Sequence, residues 1–254
     1  MTAFISDNHV HSTFSEDGKQ DMETIVKKAI EKKMKYITFT EHVDYNPADD
    51  GYLYFQYEKY SLAVEAMQKK YCDSITILKG IEFGEPHLYH TFFMKETKRN
   101  YDLIMGSLHW HGDRFYGGKQ MAARFNADDI MKIYYEDTMN MLEYGGFDVL
   151  AHLDFPKRYY KFENTVSKRM DEILKTIIKK DIILEVNTSG FRKGYMNLIP
   201  DQNVLMRYHE LGGRKISLGS DAHHGDELMA DFHLTENLEC FEQTLFINRK
   251  RIVI

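Results

Sequence analysis

The chain has 254 residues, with 33 Lys and Arg against 39 Asp and Glu, a net charge of −6. That acidity argues against bulk electrostatic binding to nucleic acid, and no apolar run reaches the ~18 residues of a membrane helix. The outlying figure is 12 histidines against 2 cysteines, which directs any metal site toward nitrogen and oxygen ligands.

The opening MTAFISDNHVHST has neither a basic segment nor an apolar stretch, so no secretory signal is expected. Cys72 and Cys240 form no CxxC pair or disulfide framework, which suits a reducing cytoplasm. The length fits one large α/β domain spanning 1–254. Residues 4–9 (FISDNH) read as a first strand. A helical apolar period follows at 21–34, where Met22, Ile25, Ala29 and Ile30 share a face opposite lysines. Strand-like runs recur at 35–42, 75–83, 102–109, 147–153, 181–187 and 215–220, rich in branched and aromatic residues as doubly buried strands are. Helical segments at 58–71, 127–144, 167–180 and 202–211 separate several of them, the last stopping at Gly212-Gly213. The segment 245–254 reads as two short strands around a basic turn, or as one edge strand. The alternation predicts a parallel α/β architecture.

Residues able to bind metals recur at nearly every strand's C-terminal tip. The first run ends in His9-Val10-His11, whose imidazoles project to one side of a strand. Asp17 follows in the next turn. The second run ends in Glu41-His42, with Asp44 beyond. The third ends in Gly80-Ile81-Glu82 and the fourth in Ser107-Leu108-His109. The fifth contains His152-Leu153-Asp154, the sixth ends in Glu185-Val186-Asn187, and the seventh in Ser220-Asp221-Ala222-His223. In a parallel sheet or barrel such tips share one face. His9, His11, Asp17, His42, Glu82, His109, His152, Asp221 and His223 are therefore expected to converge. Six imidazoles and three carboxylates exceed one tetrahedral ion and suit two or three, with a bridging carboxylate. A lone His-x-His or strand-end His is more often structural. The joint pattern carries the reading, because helix caps favour Ser, Thr, Asp and Asn over His. His87, His90, His111, His209, His224 and His233 read as surface or supporting groups.

This ordered set, from His9 to His223, resembles the polymerase and histidinol phosphatase (PHP) superfamily. The length and the stretches Gly106-Ser107-Leu108-His109 and Ser189-Gly190-Phe191-Arg192 resemble its histidinol-phosphate phosphatase branch, which acts in histidine biosynthesis. The resemblance implies a TIM-like, distorted (β/α)7 barrel with three divalent metal ions, Zn, Fe or Mn, at its mouth. It implies one ion on His9, His11, Glu82 and Asp221, one on Glu82, His109 and His152, and one on Asp17, His42 and His223. It implies hydrolysis of a small phosphate monoester, L-histidinol phosphate, by a metal-bridging hydroxide, with no nucleic-acid or membrane partner.

Within that reading Glu82, Asp221, His223 and Asp154 are the catalytic candidates, with a metal-bound water, Asp154 or His223 as alternative proton donors to the leaving alkoxide. Arg158 and Arg192 each follow a strand tip and are expected to bind phosphate, since a guanidinium offers two parallel donors. Lys157 reads as a bystander. Asp44, Glu85 or Glu16 would receive the substrate's ammonium, and His42 would also contact substrate. Tyr52, Tyr54, Phe55 and Tyr57 form either a lid or packing for the next helix. The alternatives are another PHP-type phosphoesterase, for a nucleotide or phosphotyrosine, and a non-catalytic metal-binding barrel.

Overall fold

Runs of Ile, Val, Leu and Phe form the centre of the fold, as strands buried on both faces. The computed structural model describes residues 4–162 and 167–254. The first half runs β1 (Ser6–Val10), α1 (Met22–Glu31), β2 (Tyr36–Val43), α2 (Tyr57–Lys70), β3 (Thr76–Gly84), α3 (His90–Glu96) and β4 (Leu103–Ser107). A small hairpin follows, β5 (Trp110–His111) and β6 (Arg114–Phe115), then α4 (Lys119–Arg124), α5 (Ala127–Tyr144) and β7 (Val149–Leu150). The chain continues through α6 (Lys168–Lys179), β8 (Ile183–Asn187), α7 (Ser189–Arg192), α8 (Gln202–Glu210) and β9 (Lys215–Gly219). It ends in β10 (Glu242–Ile247) and β11 (Lys250–Val253), the two short strands around a basic turn. Asp21, Asn126, Ser167 and Asp201 cap their helices by accepting amides two or three residues on. Helices α3, α4 and α7 and the β5–β6 hairpin have no counterpart in the sequence reading.

The main sheet is mostly parallel, in the order β1-β2-β3-β4-β7-β8-β9-β10-β11, with only β10–β11 antiparallel. Strand β7 is far shorter than the expected 147–153. The chain leaves the extended region at His152 (φ 25) and Asp154 (φ 79), and the Glu185 carboxylate takes the His152 amide.

The expected closed barrel is not formed as a continuous ladder. Among the described residues the seam between β1 and β9 carries one isolated bridge, Val10 with Ala222 just past the end of β9. Side chains hold the rest of that seam. Buried Asp7 accepts from the Ser220 amide at 2.9 Å, the Met229 amide at 2.8 Å and the Ser220 hydroxyl. Asn8 Nδ2 donates to Ser217 Oγ and to the Thr244 carbonyl. Carboxylate and amide groups thus take the places a ladder would fill.

Alternation along the strands sorts the two faces. Ile37, Phe39, Ile81, Ile104, Leu150, Leu184 and Leu218 join the large core that includes buried residues of α1, α5, α6 and α8. Leu103, Met105, Val149, Ala151 and Ile183 form a second cluster on the other face, closed by Phe246 of β10. Further along that face the side chains turn polar, at His9, His42, Glu82, Ser107, Glu185 and Asn187.

Asp7→Ala leaves the buried Ser220 amide and the half-buried Met229 amide without an acceptor. It is expected to destabilise the fold by about 3 kcal/mol, read as a lower midpoint in urea unfolding.

Candidate metal centre

The parallel register sets the layers of the site. His42 lies opposite Glu82 across β2 and β3, and Glu82 opposite Met105 of β4. Glu82, 1% exposed, stands among five imidazoles. His152 Nε2 is 2.7 Å away and His9 Nε2 2.9 Å, while His11 Nε2, His42 Nδ1 and His109 Nε2 are each at 3.4 Å. Asp221 is a second pole, with His223 Nδ1, His11 Nε2 and His9 Nε2 at 3.6, 3.7 and 3.9 Å. At the rim Asp17 lies 2.9 Å from His223 Nε2 and 3.8 Å from His42 Nε2. All nine expected residues come together.

One carboxylate cannot satisfy five ring nitrogens by hydrogen bonding alone. His109 Nε2 and His152 Nε2 face each other at 3.2 Å, and His11 Nε2 and His42 Nδ1 are buried without a hydrogen-bond partner. Facing lone pairs repel unless a proton or a cation lies between them. Three groups of ligand atoms are close enough to share a cation: His9, His11 and Asp221; His42, Glu82 and His109; and His11, His42 and His223. The donors are imidazole nitrogen and carboxylate oxygen, a set that divalent transition metals fit.

The protonation pattern agrees. Burial, then the neighbouring His42, His223 and His9, push His11 well below the usual imidazole range. Burial takes His152 down to about 4, against the pull of Glu82. Both rings are neutral and can offer lone pairs at pH 7. Burial also lowers His9 and His109, but Glu185 and Glu82 outweigh it at His9, and Glu82 carries His109 to about 9. Burial raises the carboxylates, yet the surrounding positive groups hold Glu82 and Asp221 well below their usual range. Protons and cations therefore compete for the same nitrogens.

Further buried carboxylates orient the rings. Glu185 accepts from His9 Nδ1 at 2.6 Å and from the His152 amide at 2.6 Å. This turns His9 Nε2 toward Glu82 with a defined tautomer. A side chain at Gly219 would overlap both the Glu185 carboxylate and His9 Cβ, so only glycine fits there. Glu41 accepts from the Ser12 amide and from the Ser12 and Ser15 hydroxyls, and Ser15 Oγ lies 3.2 Å from His11 Nδ1. Glu185 and Glu41 were visible as strand-tip acids but carried no assigned role.

A cavity of about 400 Å³ opens over these ligands. Arg158 and Lys193 line it, as do Glu16, Asp44, Asp49 and Asp50, with Trp110, Phe115, Phe155 and Tyr159 as its aromatic lining. Loop and hairpin are tied across it: Trp110 Nε1 donates to Asp49 at 2.5 Å and Asn46 Nδ2 to the Gly112 carbonyl at 2.8 Å. Burial, only partly offset by His42, pushes Asp44 up to about 7, and its Oδ1 has no partner.

Three expected contacts lie elsewhere. Arg192 does not line the cavity, because its guanidinium donates to the Ser220 carbonyl and sits 3.6 Å from Asp231. Its neighbour Lys193 faces the cavity instead, 3.3 Å from Asp221. Asp154 is fully buried, and its two oxygens accept from Lys157 and Tyr135. Glu85 also lies outside the lining and accepts the His109 and Trp110 amides. Tyr52, Tyr54, Phe55 and Tyr57 do not line it either; Phe55 packs on Tyr60 and Tyr57 on Tyr101.

The model of the PHP domain family matches residues 7–189. The chain belongs to the PHP domain family. A curated relative from Thermotoga maritima, named a probable histidinol-phosphatase, is 30% identical over 226 residues, covering 87% of this chain and 85% of its own. A second, from Clostridium acetobutylicum and of the same name, is 29% identical over 238 residues, 90% of each chain. The fold matches a crystal structure of histidinol phosphate phosphatase from Lactococcus lactis, complexed with zinc, L-histidinol and phosphate. The TM-score is 0.84 at 23% identity, over 98% of both chains. In this PHP domain Asp221 and His223 lie beyond the matched segment yet reach the same cluster.

Glu185→Gln is expected to weaken zinc binding roughly 10- to 100-fold, measured by competition with a chromogenic chelator, with an unchanged circular dichroism spectrum. Unchanged affinity would remove Glu185 from the metal centre.

Proposed function

We propose that this PHP domain hydrolyses L-histidinol phosphate to L-histidinol and inorganic phosphate. Residues 1–254 form one domain, its sheet wrapped as a distorted (β/α)7 barrel whose β1–β9 seam is held by side chains. The observation that carries the substrate reading is a pair of buried, unpartnered atoms on residues lining one cavity: Arg158 Nε, a donor, and Asp44 Oδ1, an acceptor. A phosphate ester that also bears an ammonium would satisfy both. Relatives named for this activity, matched over most of both chains, support the same reading.

The donor set suits three divalent ions, zinc, iron or manganese. His9, His11, Glu82 and Asp221 would hold one. Glu82, His109 and His152 would hold the second, and Asp17, His42 and His223 the third. Bound ions would supply an activated water and offset phosphoryl charge. The side chains do the rest. Arg158 is anchored through Nη2 on Asp221 at 2.8 Å and Ser189 at 2.6 Å, which leaves the rest of its guanidinium for a phosphoryl oxygen. Lys193 adds positive charge beside Asp221. Asp44, with Glu16 in the same lining, attracts the ammonium. Trp110, Phe155 and Tyr159 limit water and offer ring faces to an imidazole. The water oxygen bonds to phosphorus as the ester oxygen leaves. That alkoxide needs a proton; of the side-chain candidates Asp154 is turned away from the cavity and His223 lines it, and a water held at the metal centre would be the other source. A cytoplasmic setting fits two free, exposed cysteines. Among the described residues no helix is long and apolar enough to cross a membrane.

In steady-state assays kcat/KM for histidinol phosphate should exceed that for p-nitrophenyl phosphate by roughly 100-fold or more. Equal values would overturn the substrate assignment. Arg158→Ala should lower kcat/KM for both esters by about 100-fold. Asp44→Asn should cost about tenfold with histidinol phosphate alone, because only that ester carries the ammonium.

A further inference from the structure

Lys157 directly precedes Arg158 but leaves the cavity and enters the interior, where it is 3% exposed. Its Nζ donates to Asp154 Oδ2 at 2.5 Å and to Asp201 Oδ2 at 2.9 Å. Asp154 Oδ1 also accepts from the Tyr135 hydroxyl of α5 at 3.0 Å. Asp201 Oδ1 caps α8 through the Asn203 and Val204 amides, and its Oδ2 accepts from Tyr195 at 3.3 Å. The ammonium thus joins the loop after β7 to the start of α8, and the Asp154 carboxylate ties the same loop to α5.

The segment it holds has an unfavourable backbone. His152 (φ 25) and Asp154 (φ 79) both lie at positive φ, a region costly for residues other than glycine. From there a short 3-10 turn, Phe155–Arg158, brings Phe155 and Arg158 into the cavity lining. Buried ion clusters are weak evidence for stability, since apolar residues of similar volume often serve as well. What the charges add is direction: each bond limits where Nζ sits, and so where the turn sits.

We propose that Lys157 is a positioning residue for phosphate binding: anchored between Asp154 and Asp201, it fixes the turn that aims Arg158 at the phosphoryl group. This rests on the phosphate role proposed above for Arg158. A lysine without that duty has no reason to act through its neighbour.

The test is a double-substitution cycle in metal-loaded protein. Lys157→Met keeps length and volume and removes the charge. With Arg158 present it is expected to lower kcat/KM for histidinol phosphate, and to weaken inorganic phosphate binding by calorimetry, about tenfold each. In the Arg158→Ala background the same change is expected to alter both by less than about twofold. Metal content by elemental analysis should not change. Should Lys157→Met fail to fold, Asp201→Asn replaces it, since asparagine caps a helix as well as aspartate while the oxygen that accepts from Lys157 becomes an amide donor, which removes that anchor. The same dependence on Arg158 is expected. Equal losses in both backgrounds, no loss with Arg158 present, or a fall in metal content would each overturn the positioning role and leave Arg158's contact with phosphate standing. No loss from Arg158→Ala by itself would overturn the phosphate role, and the positioning role with it.

Discussion

A single buried carboxylate, Glu82, faces five imidazole nitrogens within 3.4 Å, and the rest of the molecule is arranged to hold them there. Burying one carboxylate and a ring of lone pairs away from water is costly unless positive charge compensates. Divalent cations provide that charge more compactly than protons, because one ion can serve several ligands at once. The parallel strands are what make such a gathering feasible. They bring tips separated by more than 200 residues to one face, and their alternation turns each ligand inward. Glu185 and the space beside Gly219 then leave His9 one orientation.

The acidic total charge and the chemistry of the cavity are separate matters. The −6 balance counts every carboxylate alike, including Glu82 and Asp221, whose charge is already engaged by imidazoles and by Arg158. What an incoming molecule meets is set by the few groups left over. Those include Arg158, the ammonium of Lys193 and Asp44, all three on the cavity lining. A ligand with anionic and cationic ends matches that remainder better than a uniformly charged one. The aromatic lining lowers the local dielectric and so strengthens each of these contacts.

The positions of the strands and their ligand-bearing tips were legible because both follow local rules: apolar runs make strands, and strand ends share a face. Features decided by tertiary contact were not. The fifth strand reads as extended through Leu153, but the Glu185 carboxylate draws off the His152 amide and the chain turns. Arg192 and Lys193 are adjacent, and the one-turn helix Ser189–Arg192 decides which of them reaches the cavity. Asp154 and Lys157 look like an acid on the site and a bystander, yet three residues apart across a turn they neutralise each other in the interior. The open seam was equally hidden, since it depends on Asp7 and Asn8 bonding to β9, its following residues and β10 in place of a ladder.

If the histidine cluster is a metal centre, turnover depends on the ions it holds. Elemental analysis of the purified protein, with histidinol phosphate turnover measured on the same samples, tests this most directly. Activity is expected to rise and fall with bound divalent metal, to vanish on chelation and to return when zinc, manganese or iron is restored. Full turnover in protein free of metal would contradict it.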